Sequence, residues 1–181
     1  MVEVVGTDRF SNHRNQTKYR EFPQRELNEI VAAVEKVENS TFVDAESGYE
    51  LRAFDDEIAN ALPEYEYEYA PESGRNPATK IWKDKDFDHS VDLYHAEKRI
   101  AIEIEKSERK RVSDDLLKFI KGGQTYRNKR HRIEFGCLIV PTNYRGSGNI
   151  FGGVATTLDF MRGIMHVEDV AVIGYRDPRW K

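Results

Sequence analysis

Three acidic residues in the middle of this 181-residue chain have the spacing of a cation-binding group. In the run IAIEIE, Ile100, Ile102 and Ile104 alternate with Ala101, Glu103 and Glu105, so on an extended backbone the isoleucines face one way and both glutamates the other. Asp92 lies in the preceding segment VDLYH, where Val91 and Leu93 keep the same period of two. The connection His95-Ala96-Glu97-Lys98 is short and polar, which predicts an antiparallel hairpin. Such pairing can bring Asp92 beside Glu103 and gather three carboxylates at one end of a small sheet. Carboxylates packed together repel and resist ionisation unless a divalent cation holds them. The constellation therefore reads as a Mg2+ site.

The elements that must position this hairpin can be read on both sides of it. Pro23 looks like the first position of a helix whose Leu27, Ile30, Val31, Val34 and Val37 recur at helical spacing. Ser47 and Glu50 have the spacing of a capping box, followed by Leu51, Phe54, Ile58 and Leu62 on an inward stripe, with Asp55, Asp56 and Glu57 on the outer face and Pro63 as the stop. Glu64 to Tyr69 alternates acid and aromatic, as an edge strand would, and residues 70–80 read as a loop. After KSERKR, Ser113 is the expected cap of a helix that carries Asp114 and Asp115 in its first turn and Leu116, Leu117, Phe119 and Ile120 inward, ending near Gly122-Gly123. Phe135 to Val140 is an apolar run without alternation, the pattern of a central strand covered on both faces. A Gly-rich loop over 142–153, a short helix near Ala155 to Met161 and a last strand from Val167 to Tyr175 complete the reading, and residues 1–21 read as polar and irregular.

The net charge of −4 conceals a division along the chain. Residues 1–97 carry 11 basic and 22 acidic side chains, residues 98–132 carry 12 and 5, and residues 133–181 carry 5 of each. A solvated helix face is the plain reading of a basic run. Beside the acids it reads as a phosphate-binding surface. No apolar run reaches the length of a membrane span, and the N-terminal MVEVVGTDRF lacks the regions of a signal peptide, so a cytoplasmic protein is expected, with no membrane partner. The one cysteine, Cys137, excludes an internal disulfide and sits in the apolar FGCLIV, where burial is expected. The five histidines have no zinc spacing, and no Walker loop, dinucleotide fingerprint or serine nucleophile motif occurs.

An Asp, a hairpin turn and then acid-x-(Lys, Gln or Glu) on the next strand resembles the PD-(D/E)xK nucleases. With Glu105 in the last position, the chain is most similar to type II restriction endonucleases of the BamHI/BglII/BstYI group. IAIEIE, a polar loop, LLKFIKG and CLIVP follow the group's order of catalytic strand, helix and buried strand ending in Pro. FPQRELNEIVAAV, LRAFDDEIANAL, GSGNIFGG and VAVIGY extend the likeness more weakly to both ends, with the strongest signal between about Phe87 and Pro141. The resemblance implies an α/β fold, a restriction-endonuclease-like mixed central β-sheet flanked by α-helices, over a single domain of residues 1–181. Some nuclease relatives draw a further acid from a helix before the hairpin, a role Glu50 or Glu57 could fill, although solvated helix acids are the plainer account.

Hydrolysis of a phosphodiester needs a deprotonated water, a cation to withdraw charge from the phosphate and stabilisation of the leaving oxygen. Asp92 and Glu103, with the Ile104 carbonyl, are the candidate ligands, and oxygen donors of this kind suit Mg2+ or Mn2+. Glu105 stands where most of the superfamily has Lys, so it would act as a general base or ligate a second cation. Lys106 should point to the other face of the strand. Arg109, Lys110, Arg111, Arg127, Lys129 and Arg130 are the phosphate candidates. The resemblance assigns base reading to Glu108 and Lys110, and then to Asn143, Arg145, Ser147 and Asn149 on the later loop. Glu108 stands where some GATC-reading members have Asn, so the resemblance does not carry the target sequence over. Double-strand cleavage at a palindrome is most simply met by a C2 homodimer on double-stranded DNA.

Two other readings compete with a Mg2+-dependent type II restriction endonuclease. A nuclease of repair, transposition or phage DNA turnover, without strict sequence specificity, would cut according to DNA structure and give no discrete fragments. A non-catalytic DNA-binding domain would show no Mg2+-dependent nicking, and the intact acidic trio counts against it.

Overall fold

The computed structural model describes residues 1–10, 20–43, 51–70, 74–84, 87–106, 109–124, 132–161 and 163–180; the side chains of Val43, Ala70, residues 82–84, 87–88 and 109–110 are also left out of the description. Its chain order begins with strand β1 (Glu3–Arg9), helix α1 (Gln24–Lys36), the single turn α2 (Ser40–Val43) and helix α3 (Arg52–Ala61). Four short strands follow, β2 (Glu66–Tyr67), β3 (Tyr69–Ala70), β4 (Gly74–Arg75) and, after a 3-10 turn, β5 (Lys80–Asp84). Then come β6 (Phe87–Ser90), β7 (Leu93–His95), β8 (Ile100–Ile104), helix α4 (Arg109–Gly123), β9 (Phe135–Pro141), helix α5 (Ile150–Phe160) and β10 (Asp169–Arg176). The fold is the expected α/β arrangement, a mixed sheet of six strands in the order β1-β10-β9-β8-β7-β2 with helices on its faces.

Strands β8, β9 and β10 run parallel, and α4 and α5 make the crossovers between them, as parallel pairing requires. All five residues of β8 and all seven of β9 are buried. The period of two in IAIEIE therefore sorts residues between two covered faces. Ile100, Ile102 and Ile104 join Leu27, Ile30, Val34, Phe54 and Ile58 of α1 and α3 in one apolar layer. Ala101 joins Leu138 and Val140 of β9, Leu116 and Phe119 of α4 and Val154 of α5 in the other. Cys137 is buried, and burial pushes its thiol up.

Several expectations are corrected here. The opening residues are not irregular: Glu3–Arg9 pairs antiparallel with β10 and covers the sheet edge. Ladder partners supplied by β10, rather than its own weak alternation, make this segment a strand. Ser113 is not a cap, because α4 begins at Arg109 and Ser113 lies inside it. Leu117 is 57 % exposed, since Leu116 and Phe119 already occupy the inward face. The Gly-rich segment is helical from Ile150, earlier than expected, because Asn149 Oδ1 accepts a 2.9 Å hydrogen bond from Gly152 N–H and caps the first turn. Residues 80–90 contain a separate hairpin of β5 with β6 that the sequence did not announce. The expected Ser47 and Glu50 cap lies outside the described residues. Among the described residues, no helix is long and apolar enough to cross a membrane.

Candidate active site

The predicted hairpin forms with Leu93 opposite Ile102, Tyr94 opposite Ala101 and His95 opposite Ile100. One step outward along that register sets Asp92 opposite Glu103. Asp92 Oδ2 accepts a 2.7 Å hydrogen bond from Ile104 N–H, while its backbone carbonyl accepts one of 2.8 Å from Glu68 N–H. The acid is thus tied to both neighbouring segments. Asp92, Glu103, Ile104 and Glu105 line one cavity of about 590 Å³ at the end of the sheet.

Glu103 is 2 % exposed and Glu105 6 % exposed, far less accessible to solvent than surface acids would be, and Asp92 is half-buried beside them. Burial, and next the Asp92 charge, pushes the Glu103 carboxyl well above the ordinary carboxylate range; Lys118 opposes the shift. Lys118 Nζ, on α4, donates a 2.7 Å hydrogen bond to Glu103 Oε2 and lies 3.3 Å from Asp115 Oδ1. Glu103 Oε1 is buried with no hydrogen-bond partner. Asp115 itself is pushed up to about 6, by burial first, against the pull of Lys118.

Helix α4 can bring these groups so close because it rests on a glycine. A Cβ on Gly136 of β9 would meet Phe119 Cδ2 at 2.5 Å, so the helix lies directly against the strand beside Glu103. From the opposite layer, α3 contributes Asp55 to the same cavity. Asp55 pairs with Lys106, which leans to the α3 side of β8 as its parity requires. Burial, opposed by Lys106, pushes Asp55 up to about 7, and its Oδ1 has no partner.

The helix acid at the cavity is therefore Asp55, not Glu57. Glu57 Oε1 accepts a 2.5 Å hydrogen bond from Thr41 Oγ1, away from the trio. Residues two apart on a helix diverge by more than half a turn, whereas Asp55 borders the stripe of Phe54 and Ile58. Asp55, Asp115 and Lys118 were all missed as site residues. The available signal was position: each flanks an apolar stripe rather than standing opposite it.

The proposed DNA-binding residues divide sharply. Arg111 is exposed at the rim of the cavity. Arg145 and Ser147 project from a tight turn closed by the Tyr144–Gly148 bridge, with Arg145 at φ 51°. Asn143 is committed elsewhere: its Nδ2 donates to the carbonyls of Asp177 and Trp180 at 2.9 and 2.6 Å, and its Oδ1 accepts from Asp177 N–H at 2.8 Å. Asn149 is the α5 cap. The Asn143 amide is thus held by the backbone of residues 177–180 and Asn149 Oδ1 by the first turn of α5, which sets both apart from Arg145 and Ser147. Glu50, Glu108, Arg127, Lys129 and Arg130, and the side chains of Arg109 and Lys110, lie outside the described residues.

The donor set fits a hard cation in a particular way. Among the described residues, no three Asp, Glu, His or Cys side chains are gathered as a ready-made metal cage, so three acids do not grip one ion as they stand. Glu105 Oε1 instead accepts a 3.0 Å hydrogen bond from Lys106 N–H. Mg2+ is ordinarily held by one or two carboxylates, retains several waters and takes its remaining ligands from phosphate. Asp92, Glu103 with its unpartnered Oε1, and a main-chain carbonyl meet that requirement.

The structure is similar to that of restriction endonuclease BglII, crystallised in complex with a DNA 16-mer, at a TM-score of 0.56 and 10 % identity, covering 93 % of this chain and 77 % of that one. No curated protein matches the chain. Residues 2–175 match the family described as "Putative halobacteria restriction endonuclease", and with nearly its whole length covered the chain belongs to that family.

Proposed function

We propose that the protein is a Mg2+-dependent type II restriction endonuclease that hydrolyses both strands of double-stranded DNA at a short palindromic site, acting as a C2 homodimer. The observation that carries this reading is the shared cavity of Asp92, Glu103 and Glu105, where a buried Glu103 oxygen lacks a partner. Family membership and a fold shared with a DNA-bound restriction enzyme support the substrate class.

Asp92, Glu103 and the Ile104 carbonyl would hold Mg2+, with Mn2+ as a substitute. The bound ion supplies charge withdrawal from the phosphate and lowers the pKa of water. Glu105 takes the proton of the attacking water as that oxygen bonds to phosphorus, and the bond to the leaving ester oxygen breaks. A proton from solvent completes the leaving alcohol. Arg111, with Arg109, Lys110, Arg127, Lys129 and Arg130, is assigned to phosphate positioning, and Arg145, Ser147, Glu108 and Lys110 to base edges.

The test is incubation of purified protein with phage DNA and Mg2+, followed by sequencing of the fragment ends, with Glu103→Ala in parallel. Discrete ends that disappear in the variant support the reading. Ends scattered without a common sequence favour a nuclease of relaxed specificity, and Mg2+-dependent cleavage retained by Glu103→Ala removes Glu103 from the mechanism.

A further inference from the structure

The trio of acids has one neighbour that neither the hairpin nor the family description accounts for. Lys118 reaches the site from α4, fifteen residues beyond Glu103 in sequence. Its ammonium touches Glu103 and Asp115, and its side chain is 15 % exposed. Lys106, next to Glu105, also borders the cavity but is paired with Asp55 on its α3 side. Arg111 is exposed at the rim. Among the described residues, Lys118 is thus the cation in contact with Glu103, the acid whose other oxygen is unpartnered.

A divalent ion entering at the unpartnered Glu103 Oε1 sets a second positive charge on the carboxylate whose Oε2 already holds the Lys118 ammonium, and the repulsion between them drives the ammonium off. An ammonium displaced inside this cavity needs a new anionic partner, because a buried charge without one is costly. Asp115 can take part of it, at 3.3 Å. The other anion that enters with substrate is the phosphate itself. Resting on the nuclease reading above, we infer that Lys118 is the resident counter-ion of the acid cluster, displaced from Glu103 when a divalent cation binds and then donating a hydrogen bond to a non-bridging oxygen of the scissile phosphate. The strand position occupied by Glu105 offers no cation for that purpose, and the helix supplies it instead.

The test compares wild type, Lys118→Met and Lys118→Arg in three measurements. Calorimetric titration with Ca2+ reads the exchange: without its competing ammonium, Lys118→Met binds Ca2+ about fivefold more tightly. Binding of an uncut duplex in Ca2+ over a salt series reads the phosphate contact, and the slope in Lys118→Met falls by about one. Single-turnover cleavage in Mg2+ falls about 100-fold in Lys118→Met and recovers in part in Lys118→Arg, which retains the charge. Circular dichroism confirms that each variant is folded. Should Lys118→Met itself not fold, Lys118→Arg decides alone by a changed Ca2+ affinity with cleavage within about tenfold of wild type. Ca2+ affinity that is unchanged or weakened in folded Lys118→Met overturns the counter-ion assignment, as does cleavage by that variant at the wild-type rate. A wild-type protein that cuts no duplex, while Lys118→Met still binds Ca2+ more tightly, removes the nuclease reading and leaves the ion exchange standing.

Discussion

Asp92 Oδ2 accepts a 2.7 Å hydrogen bond from the backbone N–H of Ile104, the residue between the two site glutamates at the end of β8. One carboxylate therefore fixes the end of the hairpin while facing the cavity. A hydrogen bond of this kind contributes about 1.5–3 kcal/mol because the acceptor is charged.

That double role can be separated by substitution. Asp92→Asn keeps an oxygen able to accept from Ile104 N–H but loses the negative charge. Its unfolding midpoint in urea should stay near wild type while Mg2+-dependent plasmid nicking falls by about two to three orders of magnitude. Asp92→Ala loses both, and its unfolding free energy should drop by roughly a further 1–2 kcal/mol. Equal stability in the two variants would show that the hydrogen bond contributes nothing to the fold.

Glu105 is assigned the proton of the attacking water. Glu105→Gln should slow cleavage about 100-fold or more, with duplex affinity in Ca2+ retained. A variant that cuts at the wild-type rate would assign the base elsewhere.

Acidification should stabilise the cation-free protein. Burial raises Asp55 to about 7 and Asp115 to about 6, and unfolding returns both to the ordinary carboxylate range near 4. Between those values the native state binds more protons than the unfolded chain, so this contribution is complete at low pH and lost as pH rises through about 6 and about 7. Melting temperatures in EDTA should fall from about pH 5 to about pH 7.5, and the fall should shrink in Asp115→Asn. Mg2+ should restore more stability at the upper end of that range, where the acids are ionised and the ion has more charge to bind.

The loop after β9 allows a contrast between two neighbours. Asn143→Ala removes three hydrogen bonds to the segment 177–180 and should cost about 2–3 kcal/mol in chemical denaturation without changing the preferred DNA site. Arg145→Ala, on the exposed turn, should leave stability within about 0.5 kcal/mol of wild type and weaken or relax duplex recognition, read by binding to a panel of oligonucleotides. Altered site preference in the first variant, or none in the second, would reverse these assignments.

The sequence alone determined the parts of this protein whose physics is local. A period of two put Glu103 and Glu105 on one side of a strand and three isoleucines on the other, and a short polar turn made Asp92 their partner. The unbroken FGCLIV marked the buried central strand, and the stripe from Leu27 to Val34 marked α1. Tertiary structure decided what stands across from each of those faces. Asp55, Asp115 and Lys118 meet the trio only because α3 and α4 pack on opposite sides of the same strand end, with Gly136 letting α4 come close. Strand β1 exists because β10 offers it a ladder, and the Asn143 amide is engaged by backbone groups of residues 177–180 that only the fold brings near. Periodicity reports how a residue is oriented on its own element; which groups it meets depends on contacts between segments far apart in the chain, and no spacing within one segment encodes those.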